Sequence, residues 1–196
     1  MKATVLKTLI FAGLSFLSVS CGESKESSTT MFGTMTFNNT GSNDATISPL
    51  TKIVTCKRDP DLGIFDFEST SEDGRSSIKF RVKGFKSTME TYTCKQADDN
   101  RSGTSLGGKY DVCSVYTRVP SPTGINAYSM YREEAEKSQS FTYGGTCQIQ
   151  FSEVSPKAKA KVSCTKMIQT LLNGTTRNPV SDSVTGDLYA EIDCPI

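Results

Sequence analysis

Histidine and tryptophan are both absent from this chain of 196 residues. Without an imidazole, Ser-His-Asp and Cys-His catalysis are excluded, and so is any metal site ligated by His. C-x-x-C is also missing, and the cysteines are widely spaced, which argues against a zinc cluster or a dithiol redox centre. Charge of one sign is not in excess: Lys+Arg 22 stand against Asp+Glu 21, for a formal net charge of +1. A broad nucleic-acid surface is therefore not expected. Long apolar runs are lacking as well. The longest, Leu9 to Val19, covers about eleven residues, too few to cross a hydrocarbon core of roughly 30 Å as a helix.

Ser and Thr are plentiful, and Phe and Tyr are frequent, a composition that leans toward strands. The length suffices for one domain with a real core. The N-terminus reads differently from the rest. Lys2 and Lys7 form a positive opening without an acid, the short apolar run follows, and small residues precede Cys21. That is the layout of a secretory signal. After Cys21 comes "GESKESSTT", Gly22 to Thr30, which contains no large hydrophobe and reads as a leash. Fully extended, it reaches about 30 Å.

The pentapeptide "LSVSC", Leu17 to Cys21, resembles the lipobox of bacterial lipoproteins. The resemblance covers the signal and Cys21 only. It implies cleavage before Cys21, a lipid-modified Cys21 as the first mature residue, and attachment to a membrane of the cell envelope. Gly22 directly after the Cys implies, by the sorting habit of that family, the outer membrane. Ser18 and Ser20 equally suit ordinary signal peptidase, which would leave a secreted or periplasmic protein with the same mature start. Loss of Lys2 and Lys7 takes the formal charge from +1 to −1, since no acid leaves with them.

Cysteine arithmetic bears on that choice. Of the seven cysteines, a lipidated Cys21 would leave Cys56, Cys94, Cys113, Cys147, Cys164 and Cys194, an even set for three bridges in an oxidising compartment. Six cysteines admit fifteen pairings. Cys94–Cys113 and Cys147–Cys164 each flank a candidate hairpin, which leaves Cys56–Cys194 to tie early strands to late ones.

Two hairpins are legible. In "IFDFESTSEDGRSSIKFRVKGF", Ile64 to Phe85, apolar and charged residues alternate on both sides of Asp73-Gly74, a favoured two-residue turn. A turn there places Phe67 opposite Phe80, Phe65 opposite Val82, Glu68 opposite Lys79 and Asp66 opposite Arg81. A slip of one residue would destroy every pair. In "CQIQFSEVSPKAKAKVSC", a turn at Ser155-Pro156 places Ile149 opposite Val162 and Cys147 opposite Cys164. Further strands are expected over Thr51–Lys57, Thr91–Lys95, Tyr110–Val119, Lys166–Leu172 and "TGDLYAEIDC", with Leu188, Ala190, Ile192 and Cys194 on one face. Ile125–Tyr131 and Phe141–Tyr143 carry fainter signals. "YREEAEKSQ", Tyr131–Gln139, is the one candidate helix. Turn signals recur at "NNTGSND", "ADDNRSG", "VPSPTG" and "NGTTRNP". The expected fold is all-β: an antiparallel sandwich or barrel of about eight to ten strands, built from hairpins and stapled by disulfides. Residues 1–20 are the expected signal peptide, 21–30 the lipidated Cys and tether, and 31–196 a single β domain.

Candidate sites are few. Asp59, Asp61, Asp66 and Glu68 suggest calcium by type, but no calcium-loop spacing is met, and two of the four already face basic partners. Asp98, Asp99 and Asn100 read as a turn. "KAKAK", Lys157 to Lys161, suggests an anionic surface, but alternation puts Lys159 and Lys161 on a solvent face, where lysine guards an edge strand. The best surface candidate is Tyr128, Tyr131, Arg132 and Tyr143, since exposed Tyr and Arg are interface-type residues that also stack on sugars. Asn38 and Asn173 begin glycosylation sequons, which matter only in a eukaryotic secretory context. No cofactor, metal or nucleic acid is expected. The expected role is a cell-envelope lipoprotein, held to the membrane by its N-terminal lipid. Its β domain binds or builds, with an envelope protein or glycan as partner. The alternative is a lipocalin-like carrier of a small apolar ligand. An envelope enzyme is the third reading, weakened because no motif sets a nucleophile beside a base.

Overall fold

The computed structural model describes residues 30–40, 44–94, 112–130, 145–173, 176–179 and 184–196. The expected helix at Tyr131–Gln139, the strand at Phe141–Tyr143 and the turn "ADDNRSG" lie outside these residues. Among those described, every regular element is a strand, and the strands form one antiparallel sheet that curls until it is nearly closed into a barrel.

The first hairpin carries the expected register. β4 (Ile64–Thr70) and β5 (Ser77–Lys83) pair Phe67 with Phe80, Phe65 with Val82, Asp66 with Arg81 and Glu68 with Lys79. Its turn is wider than the two residues expected. Ser71 N donates to Ser76 O at 2.9 Å, and Ser76 N donates to Ser71 Oγ at 3.0 Å, so the pair Ser71 and Ser76 closes the loop. Inside it, Gly74 N donates to Ser71 O at 3.0 Å, and Gly74 takes the left-handed φ of 69°. The physical reason for the wider loop is Asp73. Its Oδ1 accepts from Ser71 Oγ at 2.6 Å and from Arg75 N at 3.0 Å, an Asx-type arrangement that replaces a tight turn. Those same bonds hold the Asp73 carboxyl below its usual pKa. The loop is still centred between Asp73 and Gly74, which is why the register survives.

The second hairpin joins β9 (Thr146–Glu153) to β10 (Lys157–Asn173) and pairs Ile149 with Val162 and Cys147 with Cys164, as expected. Toward the turn the pairing slips between Lys159 and Ala160. The strand expected over Lys166–Leu172 is the far half of this same long β10. Its two halves meet at an irregularity between Cys164 and Met167, where Lys166 has φ 51° and its N–H donates to Asp187 Oδ1 at 2.8 Å. A bulge of this kind bends a strand and raises its twist. Before the bend β10 pairs with β9; beyond it, Ile168 to Thr170 pair with β8 (Gly124–Ser129).

The rest of the sheet follows from these units. β1 (Gly33–Asn39) and β2 (Ala45–Leu50) flank the turn signal "NNTGSND". β12 (Thr185–Pro195) lies between β1 and β10 and buries Leu188, Ala190, Ile192 and Cys194. β7 (Cys113–Ser121) lies between β5 and β8, while β3 (Lys52–Asp59) pairs, among the described residues, with β4 alone. The sheet thus runs β2-β1-β12-β10-β8-β7-β5-β4-β3. The short β6 (Thr91–Cys94) adds to β9, and β11 (Thr176–Pro179) adds to β10. Only Thr51 separates β2 from β3, yet they stand at opposite ends of this order. The chain therefore turns the sheet back on itself there, and the disulfide Cys56–Cys194 ties β3 to β12 across the remaining gap. Cys94–Cys113 and Cys147–Cys164 complete the expected set of three.

Side chains fill the interior. Phe65, Phe85, Tyr92 and Phe151 meet in edge, tilted and stacked ring contacts with centroids 5.0 to 6.2 Å apart, and Phe67 stacks on Phe80 at 5.2 Å. Such pairs add about 0.5–1.5 kcal/mol beyond the area they bury. Two buried hydroxyl sites are satisfied locally, since Thr117 Oγ1 donates to Ser77 O at 2.8 Å and Ser48 and Ser76 share a bond at 2.7 Å, whereas Thr170 Oγ1 is buried without a partner among the described residues.

Candidate ligand groove on the outer sheet face

The outward faces of β1, β12, β10 and β9 form a charged surface with a fixed order. Alternation along β12 turns Tyr189, Glu191 and Asp193 outward while their neighbours go inward. Alternation along β10 does the same for Lys159 and Lys161. The β10–β12 register sets Lys161 against Glu191 and Lys159 against Asp193. The resulting ion pairs measure 3.2 Å for Lys161–Glu191, 3.7 Å for Lys159–Asp193 and 3.3 Å for Lys159–Glu153 on β9. Tyr189 donates its hydroxyl to Glu191 Oε1 at 2.7 Å, so Glu191 accepts from two sides. Both bonds hold the Glu191 carboxyl below its usual pKa, that with Tyr189 most. The partners shift the other way: hydrogen bonding to Glu191 raises Lys161 and Tyr189. These groups face water, so the pairs contribute little to stability. Their effect is to hold the side chains in place.

Across these strands runs a groove of about 500 Å³. Ala160 and Ile192 turn their side chains inward, so they offer backbone as its floor. Gly33 continues that floor. An added Cβ there would lie 2.1 Å from the carbonyl oxygen of Glu191, so only glycine lets β1 approach β12 this closely. Lys159, Lys161, Glu191 and Asp193 line the sides, Thr34 and Ser152 add hydroxyls, and Met31 stands exposed at one edge.

The surface expected at Tyr128 is corrected. Tyr128 is fully buried, its ring packs on Phe37 with centroids 4.4 Å apart, and its hydroxyl donates to Asn39 Oδ1 at 2.6 Å. Burial pushes its phenol pKa up, against a smaller opposing effect of Asn126. The reason is its place in the sheet: Tyr128 stands opposite the buried Thr117 of β7 and packs against Phe37. Tyr131, Arg132 and Tyr143 lie outside the described residues, as does Cys21. The edge-strand reading of the lysines is corrected too. β10 has β12 on one side and β9 on the other, so Lys159 and Lys161 stand in mid-sheet opposite acids. Among the described residues no group of three or more His, Cys, Asp or Glu is placed to hold a metal. Asp66 instead takes a two-pronged bond from Arg81 at 2.6 and 2.8 Å, and Glu68 pairs with Lys79 at 3.0 Å.

No family model, curated protein or solved structure matches this chain. The groove therefore rests on its own chemistry. Tyr189, Glu191 and Asp193 were on one face of a legible strand, but the sequence did not show that the lysines of β10 lie beside them.

Proposed function

We propose that the protein is a cell-envelope lipoprotein, anchored through Cys21, whose β domain serves as a binding module. The observation that carries this reading is that the three disulfides take up Cys56, Cys94, Cys113, Cys147, Cys164 and Cys194, so that of the seven cysteines Cys21 is the one left over by count. In an oxidising compartment a leftover cysteine needs an explanation, and the resemblance of "LSVSC" to a lipobox supplies one in lipidation. The filled interior, with Phe65, Phe85, Tyr92 and Phe151 in mutual contact, favours a module that binds on its outside over a carrier with a ligand inside. The outer groove gives such a module a place to bind.

Each buried methylene of a lipid chain adds about 0.8 kcal/mol, so a single chain holds marginally and two or more hold firmly. The protein expressed in a bacterial envelope is expected to enter the detergent phase and to show an intact mass that starts at an acylated Cys21. Cys21→Ser should move it to the aqueous phase with its far-UV circular dichroism unchanged. A wild-type protein that stays in water with an unmodified Cys21 would replace the anchor with ordinary secretion.

A further inference from the structure

We propose that the groove across β1, β12, β10 and β9 binds a neutral, polyhydroxylated ligand: a short oligosaccharide, with Tyr189 as the surface on which one ring stacks. This deepens the binding-module reading and rests on it.

The charge order of the lining selects the ligand class. Cationic Lys159 and Lys161 stand beside anionic Glu191 and Asp193, one strand spacing apart. An anion would meet two carboxylates, and a cation would meet two ammonium groups. An apolar ligand would strip water from all four charges without replacing its bonds. A sugar hydroxyl meets both needs, since it donates to a carboxylate and accepts from an ammonium. Thr34 and Ser152 extend the same capacity at neighbouring points. The floor of backbone at Gly33, Ala160 and Ile192 keeps the groove free of large side chains.

Size and rigidity agree. The volume of about 500 Å³ falls within the range of small-ligand sites. Three gaps between four strands make it about 14 Å long. The four charged lining side chains stand on paired strands and are ion-paired across them, so few of their rotamers remain to be frozen on binding. Tyr189 stands outside the lining itself, one outward position along β12 from Glu191; it is 44% exposed, and its hydroxyl bond to Glu191 holds it where a sugar ring extending past Glu191 would meet its face.

The test is a titration of the isotope-labelled protein with maltotetraose, cellotetraose, mannotetraose and tetra-N-acetylchitotetraose, followed by amide chemical shifts. At least one sugar should give saturable shifts at Thr34, Lys161 and Glu191. Tyr189→Ala and Glu191→Gln should each weaken that sugar by at least about tenfold, while Lys79→Ala, on a distant strand, should leave it unchanged. Circular dichroism checks that each variant is folded. The proposal is overturned if none of the four shifts these amides at about 20 mM, or if the shifts fall elsewhere. It is equally overturned if a sulfated tetrasaccharide or a zwitterionic dipeptide fills the groove more tightly than every neutral sugar. Failure here leaves the detergent-partitioning result at Cys21 standing, so the two readings fail separately.

Discussion

The β4–β5 hairpin and the seam between β3 and β12 close parts of the same wall by opposite means. In the hairpin, a continuous ladder joins neighbours in sequence, aromatic pairs line its inner face, and charged pairs line its outer one. At the seam, no ladder among the described residues joins β3 to β12, and the Cys56–Cys194 bond spans 138 residues of chain. Local pairing costs little chain entropy, because the turn brings the strands together before any tertiary contact forms. Closure between the ends of the sheet has no such help. A covalent tie does there what many hydrogen bonds do in the hairpin.

Removing that tie is the strongest way to separate the two regions. By the loop-entropy relation, the Cys56–Cys194 bond restricts the unfolded chain by on the order of 5 kcal/mol, against about 3 kcal/mol for the shorter loop of Cys147–Cys164. The double variant Cys56→Ala with Cys194→Ala should therefore lose more stability in urea unfolding than Cys147→Ala with Cys164→Ala. Equal losses would show that the seam is held by packing. A smaller effect is expected at the hairpin loop. Gly74→Val forces a β-branched residue into φ 69°, with open space around it, so strain alone should cost of order 1 kcal/mol or more. No loss would mean that the loop readily takes another shape. The smallest effect is expected from Glu68→Ala. Its partner Lys79 is half exposed, and cross-strand pairs of this kind give roughly 0.2–1 kcal/mol. A loss above that range would make the outer charges of the hairpin as important as its Phe pairs.

The same contrast explains what could be read in advance. The hairpin announced itself because Phe65, Phe67, Phe80 and Val82 alternate with charges that are acidic on one side of the turn and basic on the other. Its register followed from chemistry, although Asp73 bound Ser71 and Arg75 and widened the loop. β2 gave no such signal. Its pattern is inverted: Ile47 is 71% exposed, Ser48 is buried, and Pro49 interrupts the run. Nor did the sequence show that one strand would run through Thr165 and Lys166, since a lysine with positive φ is a choice of tertiary structure. The groove failed for a related reason. The outward faces of β10 and β12 were each legible, but only a long-range register could set Lys161 against Glu191. Tyr128 failed too: its residue type suggested a surface, and β8, with Ile125 exposed and the polar Ser129 buried, carries no alternation that would have pointed the ring inward.

The position of β1 also governs how the domain bears load. A pull delivered through residue 30 enters the fold just ahead of Gly33, at the first residue of a strand flanked by β2 on one side and β12 on the other. The hydrogen bonds of both ladders lie across that strand. Tension along β1 therefore meets them in shear, many at once, rather than peeling them apart singly. Met31 stands at the edge of the groove. The point where force enters and the floor where a ligand would rest are thus built from the same few residues.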